Sequence, residues 1–72
     1  MAEIKSMVSG IVAAIEVQRG GTVDAGQVIM LIESMKMEIP VEAEAAGTLS
    51  EVLVEEGESV TEGQTVATVT NG

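Results

Sequence analysis

Between residues 37 and 45 the chain alternates strictly. Met37, Ile39, Val41, Ala43 and Ala45 fall on one side, and Glu38, Pro40, Glu42 and Glu44 on the other. A period of two is the signature of a half-buried β-strand. Pro40, which has no N–H to give to a neighbour, lies on the polar side and fits an edge strand. Just upstream, residues 28–32 are an unbroken apolar run that reads as another strand. Elsewhere the apolar positions come in short bursts framed by glycine. Segments 20–26 and 57–63 each begin and end on glycine and centre on a valine, Val23 or Val60. Such glycines mark turns that need positive φ or close backbone approach, so each segment predicts turn, very short strand, turn.

These bursts repeat. Residues 9–34 and 46–71 align at a constant offset of 37, with Gly10, Val17, Gly20, Val23, Gly26 and Gln27 identical to Gly47, Val54, Gly57, Val60, Gly63 and Gln64. Ile15 and Val52 exchange similar aliphatics. A repeat this short cannot bury its apolar face alone, so the copies must pack together as two small sheets about an approximate two-fold axis. Val, Ile and Thr supply 23 of 72 residues and Leu only three, which favours strands over helices. The stretch "VIMLIESMKMEI" has helix-permitting propensity, but Pro40 follows closely and both neighbours read as β.

If 28–32 and 37–45 are both strands, the chain must reverse between them, in a hairpin at 33–38. This tip contains no Gly, Asn, Asp or Pro, the residues that tight hairpins prefer. A two-residue primed turn would put Met35 and Lys36 at positive φ and store strain, which marks the side chain presented there as one that matters. Since the tip links the two copies, a two-fold arrangement should place it opposite the chain termini.

Composition narrows the chemistry. Seventy-two residues make one domain, 1–72. Cysteine and histidine are absent, which removes disulfides, zinc sites, Cys-His nucleophiles and Ser-His-Asp triads, and no EF-hand pattern supports calcium. Net charge is −9, with Lys5, Arg19 and Lys36 the only cations, so nucleic acid is not an expected partner. No signal-peptide pattern or membrane-length apolar run is present, and a soluble, cytoplasmic, monomeric protein is expected. With no aromatic residue, the core must be built from aliphatics and methionine, each worth roughly 1.5–3 kcal/mol when fully buried.

The residues "ESMKME" resemble the attachment motif of the biotinyl/lipoyl domain family, usually Ala-Met-Lys-Met in its biotinyl members. The resemblance covers nearly the whole chain, including "MVSG" at 7–10, the Gly–Val–Gly segments and "EAAGTL" at 44–49. It implies an all-β flattened barrel or sandwich of two four-stranded antiparallel sheets, with the modified lysine at a hairpin tip. Lys36 would carry covalent biotin, and Met35 and Met37 would be read by a biotin protein ligase. The ligase makes biotinyl-adenylate, and Lys36 attacks that mixed anhydride. A free lysine is almost wholly protonated at neutral pH and this chain has no histidine, so activation must come from the ligase. The loaded arm would then serve a biotin carboxylase and a carboxyltransferase, with no catalysis by the carrier itself. Two departures stand out. Ser34 replaces the usual Ala, and Glu33-Ser34 resembles the flank in lipoyl domains, which implies lipoate, a lipoyl ligase and a 2-oxo-acid dehydrogenase complex as the alternative. The insertion forming the "thumb" of some carrier proteins is also absent between Gly10 and Gly20. Ser34 also faintly resembles the phosphopantetheine serine of acyl carriers, but those are helical bundles. An unmodified acidic interaction module is a further alternative, for which Lys36→Ala would be silent.

Overall fold

The computed structural model describes residues 2–70, so Asn71, the end of the second repeat copy, lies outside the described residues. Eight strands run in chain order: β1 Ala2–Lys5, β2 Gly10–Ile15, β3 Thr22–Val23, β4 Val28–Ser34, β5 Met37–Glu42, β6 Gly47–Val52, β7 Ser59–Val60 and β8 Thr65–Thr70. They form two four-stranded antiparallel sheets, ordered β1-β8-β6-β3 and β5-β4-β2-β7. The all-β expectation holds, and the stretch that could have been helix is strand on both sides of a turn.

The 37-residue offset carries one sheet onto the other, strand for strand. β2 maps to β6, β3 to β7, β4 to β8, and β5 back onto β1. The hydrogen bonds between segments follow the same rule. Gly20 N–H donates to Leu49 O at 2.7 Å, and Gly57 N–H donates to Val12 O at 2.8 Å. Asp24 and Thr61 each donate a backbone N–H to the side-chain oxygen of Gln27 or Gln64, both at 2.9 Å. All four predicted turn glycines have positive φ, from 85 to 92°. A side chain there would meet open space, so backbone conformation alone selects glycine.

Neither repeat copy builds its own sheet. The short strand β3 pairs with β6 of the second copy, and β7 pairs with β2 of the first. This exchange is why one copy cannot stand alone. Ile4, Val12, Val23, Ile29, Met30, Ile32 and Val41 meet Leu49, Val54, Val60, Val66, Ala67 and Val69 in one aliphatic core. β1 joins this symmetry unannounced by sequence identity: Ile4 occupies in its sheet the buried position that Val41 occupies in the other.

Two boundaries differ from the sequence expectation. β4 runs on to Ser34, because the turn is only two residues long. β5 ends at Glu42 rather than at 45, and Ala45 is exposed. Ala43 is still buried, but its N–H donates to Gln27 O and its carbonyl accepts from Gly26 N–H. After that tie the chain crosses to the other sheet at Gly47, and alternation loses its meaning without a neighbouring strand.

Candidate functional site

The hairpin of β4 and β5 pairs Ile32 with Ile39, Glu33 with Glu38 and Ser34 with Met37. Ile32, with none of its surface exposed, is the last core residue before the tip. Beyond it the hairpin continues for two residue pairs, at about 3.3 Å each, and then turns through Met35 and Lys36. These two residues have φ of 54 and 66°, and they are the positive-φ residues other than glycine among the described residues. Positive φ at both central positions is the primed hairpin geometry, whose twist matches the flanking strands. A non-glycine residue held there is strained, and the pairing on either side is what holds it.

The face that is core at the base of the hairpin is solvent at its tip. Along β5, Val41 is buried, Ile39 half-buried and Met37 62% exposed. Met35 is 92% exposed, so neither methionine beside Lys36 fills the core, although Met37 shares its face with Ile39 and Val41. Lys36 itself is exposed, and none of the side-chain hydrogen bonds among the described residues involves it. The turn therefore fixes the Lys36 backbone at the end of the sheet, while its side chain extends into solvent.

Two further features lie at the base of the tip. Gly10, at the start of β2, lies so close to β4 that a Cβ there would collide with the Glu33 carbonyl. Glu33 and Glu38, both exposed, face each other directly across the hairpin. Like charges in directly opposed positions cost stability, so this pair does nothing for the fold and lends negative potential to the base of the tip. The sequence showed both glutamates flanking the motif, but their pairing emerged only once the two-residue turn set the register. The structure thus brings Glu33, Ser34, Met35, Lys36 and Met37 together as one continuous projection, with Glu38 added opposite Glu33.

By the two-fold, the place of this tip in the other sheet belongs to the chain ends, where Ala2 of β1 pairs with Val69 of β8. The tip and the described ends of the chain lie in symmetry-equivalent, opposed positions, as the repeat implied.

The architecture and this tip have clear counterparts. The model of the family described as "Biotin-requiring enzyme", the biotin/lipoyl family, matches residues 1–69. A relative named biotinylated protein TB7.3 homolog, from Mycobacterium leprae, is 38% identical over 67 residues, covering 93% of this chain and 94% of that one. The urea carboxylase of Kluyveromyces lactis contains a similar fold at TM-score 0.90 and 29% identity, over 94% of this chain and 6% of that much longer one. The lipoyl domain of the Azotobacter vinelandii 2-oxoglutarate dehydrogenase complex superposes at TM-score 0.81 and 29% identity, covering 100% and 99% of the two chains. With two four-stranded antiparallel sheets related by an internal repeat, and a match along nearly its full length, this chain belongs to the biotin/lipoyl attachment domain family.

Proposed function

We propose that this protein is a carrier whose Lys36 is joined to biotin in amide linkage and serves as the swinging arm of a biotin-dependent carboxylase. Domains of this family are non-catalytic carriers, and this chain's part is accordingly to present and tether. The observation that carries the reading is the exposure of Met35 and Met37 on either side of Lys36. Two apolar side chains held in water at a strained turn do not serve the fold, so a partner that reads them is their reason. Lys36 is also one of only two lysines in the chain, the other being Lys5 in β1.

The tip suits a covalent group. Its backbone is fixed by two strand pairs and a defined turn, while the lysine side chain swings. Nζ of Lys36 is the nucleophile toward an activated biotin acyl group delivered by a biotin protein ligase. The chain offers no histidine to take the proton, so the base belongs to the ligase. When bound, biotin supplies a ureido ring that takes up and releases a carboxyl group. The chain holds that arm at high local concentration for a carboxylase and a carboxyltransferase in turn. A second reading, lipoate on the same Lys36, is favoured by Glu33-Ser34 and by the likeness to the lipoyl domain. It would put the protein in a 2-oxo-acid dehydrogenase complex.

Co-expression with biotin and lipoate ligases, followed by intact mass and peptide mapping, tests both. The expected result is one biotinyl adduct on Lys36, lost in Lys36→Arg, with Lys5 unmodified. A lipoyl adduct alone selects the second reading, and no adduct on folded protein with active ligases ends both.

A further inference from the structure

The chain contains no cysteine, histidine, tryptophan, tyrosine or phenylalanine, but five methionines. Its oxidisable side chains are therefore all thioethers. The fold sorts those it describes into two classes. Met30 has none of its surface exposed and sits in the core on β4. Met35 and Met37 stand in water beside Lys36, and Met7, 74% exposed, lies between β1 and β2. The register sets Ile11 opposite Glu33, so the 6–9 segment enters β2 at the tip end of the sheet.

We propose that Met35 and Met37 form an oxidation site that controls the loading of Lys36. Hydrogen peroxide, or an alkyl hydroperoxide, delivers one oxygen to the thioether lone pair. The O–O bond breaks, an S=O bond forms, sulfur loses two electrons, and the second oxygen leaves as water or alcohol. The product is a strongly polar, chiral sulfoxide in place of a flexible apolar chain end. Any protein surface that covers the tip must desolvate it, and a sulfoxide buried without a hydrogen-bond partner is disfavoured there. The core loses nothing, since neither side chain is part of it. The site is therefore switchable without unfolding, and methionine sulfoxide reductases can reverse it. Met30, on the same hairpin, is shielded from peroxide as long as the sheets stay closed.

This inference rests on the reading of Lys36 as the attachment residue, so the test separates the two. Met7→Leu removes the other exposed thioether among the described residues, and the labelling rate of this variant before oxidation is the reference. This variant is treated with graded hydrogen peroxide, mapped by peptide mass spectrometry, and then offered to biotin protein ligase with biotin and ATP. The expected result is sulfoxide at Met35 and Met37 before Met30, unchanged β-sheet circular dichroism, and a labelling rate lowered by about tenfold. Treatment with both sulfoxide reductases should restore that rate. An unchanged rate on protein mapped as sulfoxide at both positions overturns the proposal. So does oxidation of Met30 in step with Met35. If the untreated protein is not labelled at all, the attachment reading fails and takes this inference with it.

Discussion

The sheet β5-β4-β2-β7 and the sheet β1-β8-β6-β3 are built alike almost bond for bond, yet only one of them ends in a hairpin. In both, a two-residue strand crosses over from the other repeat copy. In both, a glutamine side chain caps the turn before the longer strands. In both, a glycine lies flush against a carbonyl of the neighbouring strand: Gly10 against Glu33 in one, Gly47 against Thr70 in the other. At the far end they part. β4 continues through Met35 and Lys36 into β5, whereas the equivalent strands β8 and β1 are the last and first strands described and are not joined by a turn among the described residues. What the halves share makes the fold, and the point where they differ makes the candidate site.

The sharpest break in that comparison is made at the tip itself. Replacing Met35 by Asp and Met37 by Ala changes two exposed side chains and leaves the core untouched. Biotin labelling by purified ligase should fall by an order of magnitude or more, roughly 1.4 kcal/mol at the least, with lipoate labelling rising in its place. Unchanged biotinylation of the double variant would show that these methionines are not what the ligase reads.

The glycine pair sharpens the comparison. Gly10→Ala and Gly47→Ala each push a Cβ into a backbone carbonyl, and each should destabilise the fold by about 3 kcal/mol. Only Gly10 braces the strand that carries the tip. Labelling of the folded fraction at low temperature should therefore slow in Gly10→Ala and not in Gly47→Ala. Equal rates would mean that the clamp on Glu33 does not hold the tip in place.

Smaller effects should be symmetric. Val23→Ala and Val60→Ala hollow the core at equivalent positions, and thermal melts should show a loss of about 2 kcal/mol in each with labelling of folded protein unaffected. Slowed labelling in either would count against the separation of fold from tip. Smallest of all, Gln27→Ala and Gln64→Ala each remove one exposed turn cap, worth about 0.5 kcal/mol. Denaturant titrations that found one cap several times stronger than the other would show that the two halves are not mechanically equivalent.

Much of this was legible in the residues, and the reasons are local. Glycine at 20, 26, 57 and 63 is dictated by backbone conformation, so its spacing transmits the turns directly. Valine at 23 and 60 is dictated by burial in a two-residue strand. The hairpin was harder to read. Met35 and Lys36 carry no turn preference, and only the need to reverse between two strands located them. β1 was not legible as the counterpart of β5 because its equivalence lies in burial, Ile4 with Val41, and not in identity. The alternation beyond Glu42 overstated β5, because period-two patterning reports a face only while a neighbouring strand defines one.

The sequence by itself thus determined the strands, the glycine turns, the two-fold repeat and the motif around Lys36, since each depends on residues close together in the chain. Only the tertiary structure decided that the two copies exchange their short strands and that Glu33 faces Glu38. It also decided that Met37, on the same face as buried Val41, stands in solvent. Exposure at the tip depends on where the opposing sheet stops, and that is set by contacts between residues dozens of positions apart.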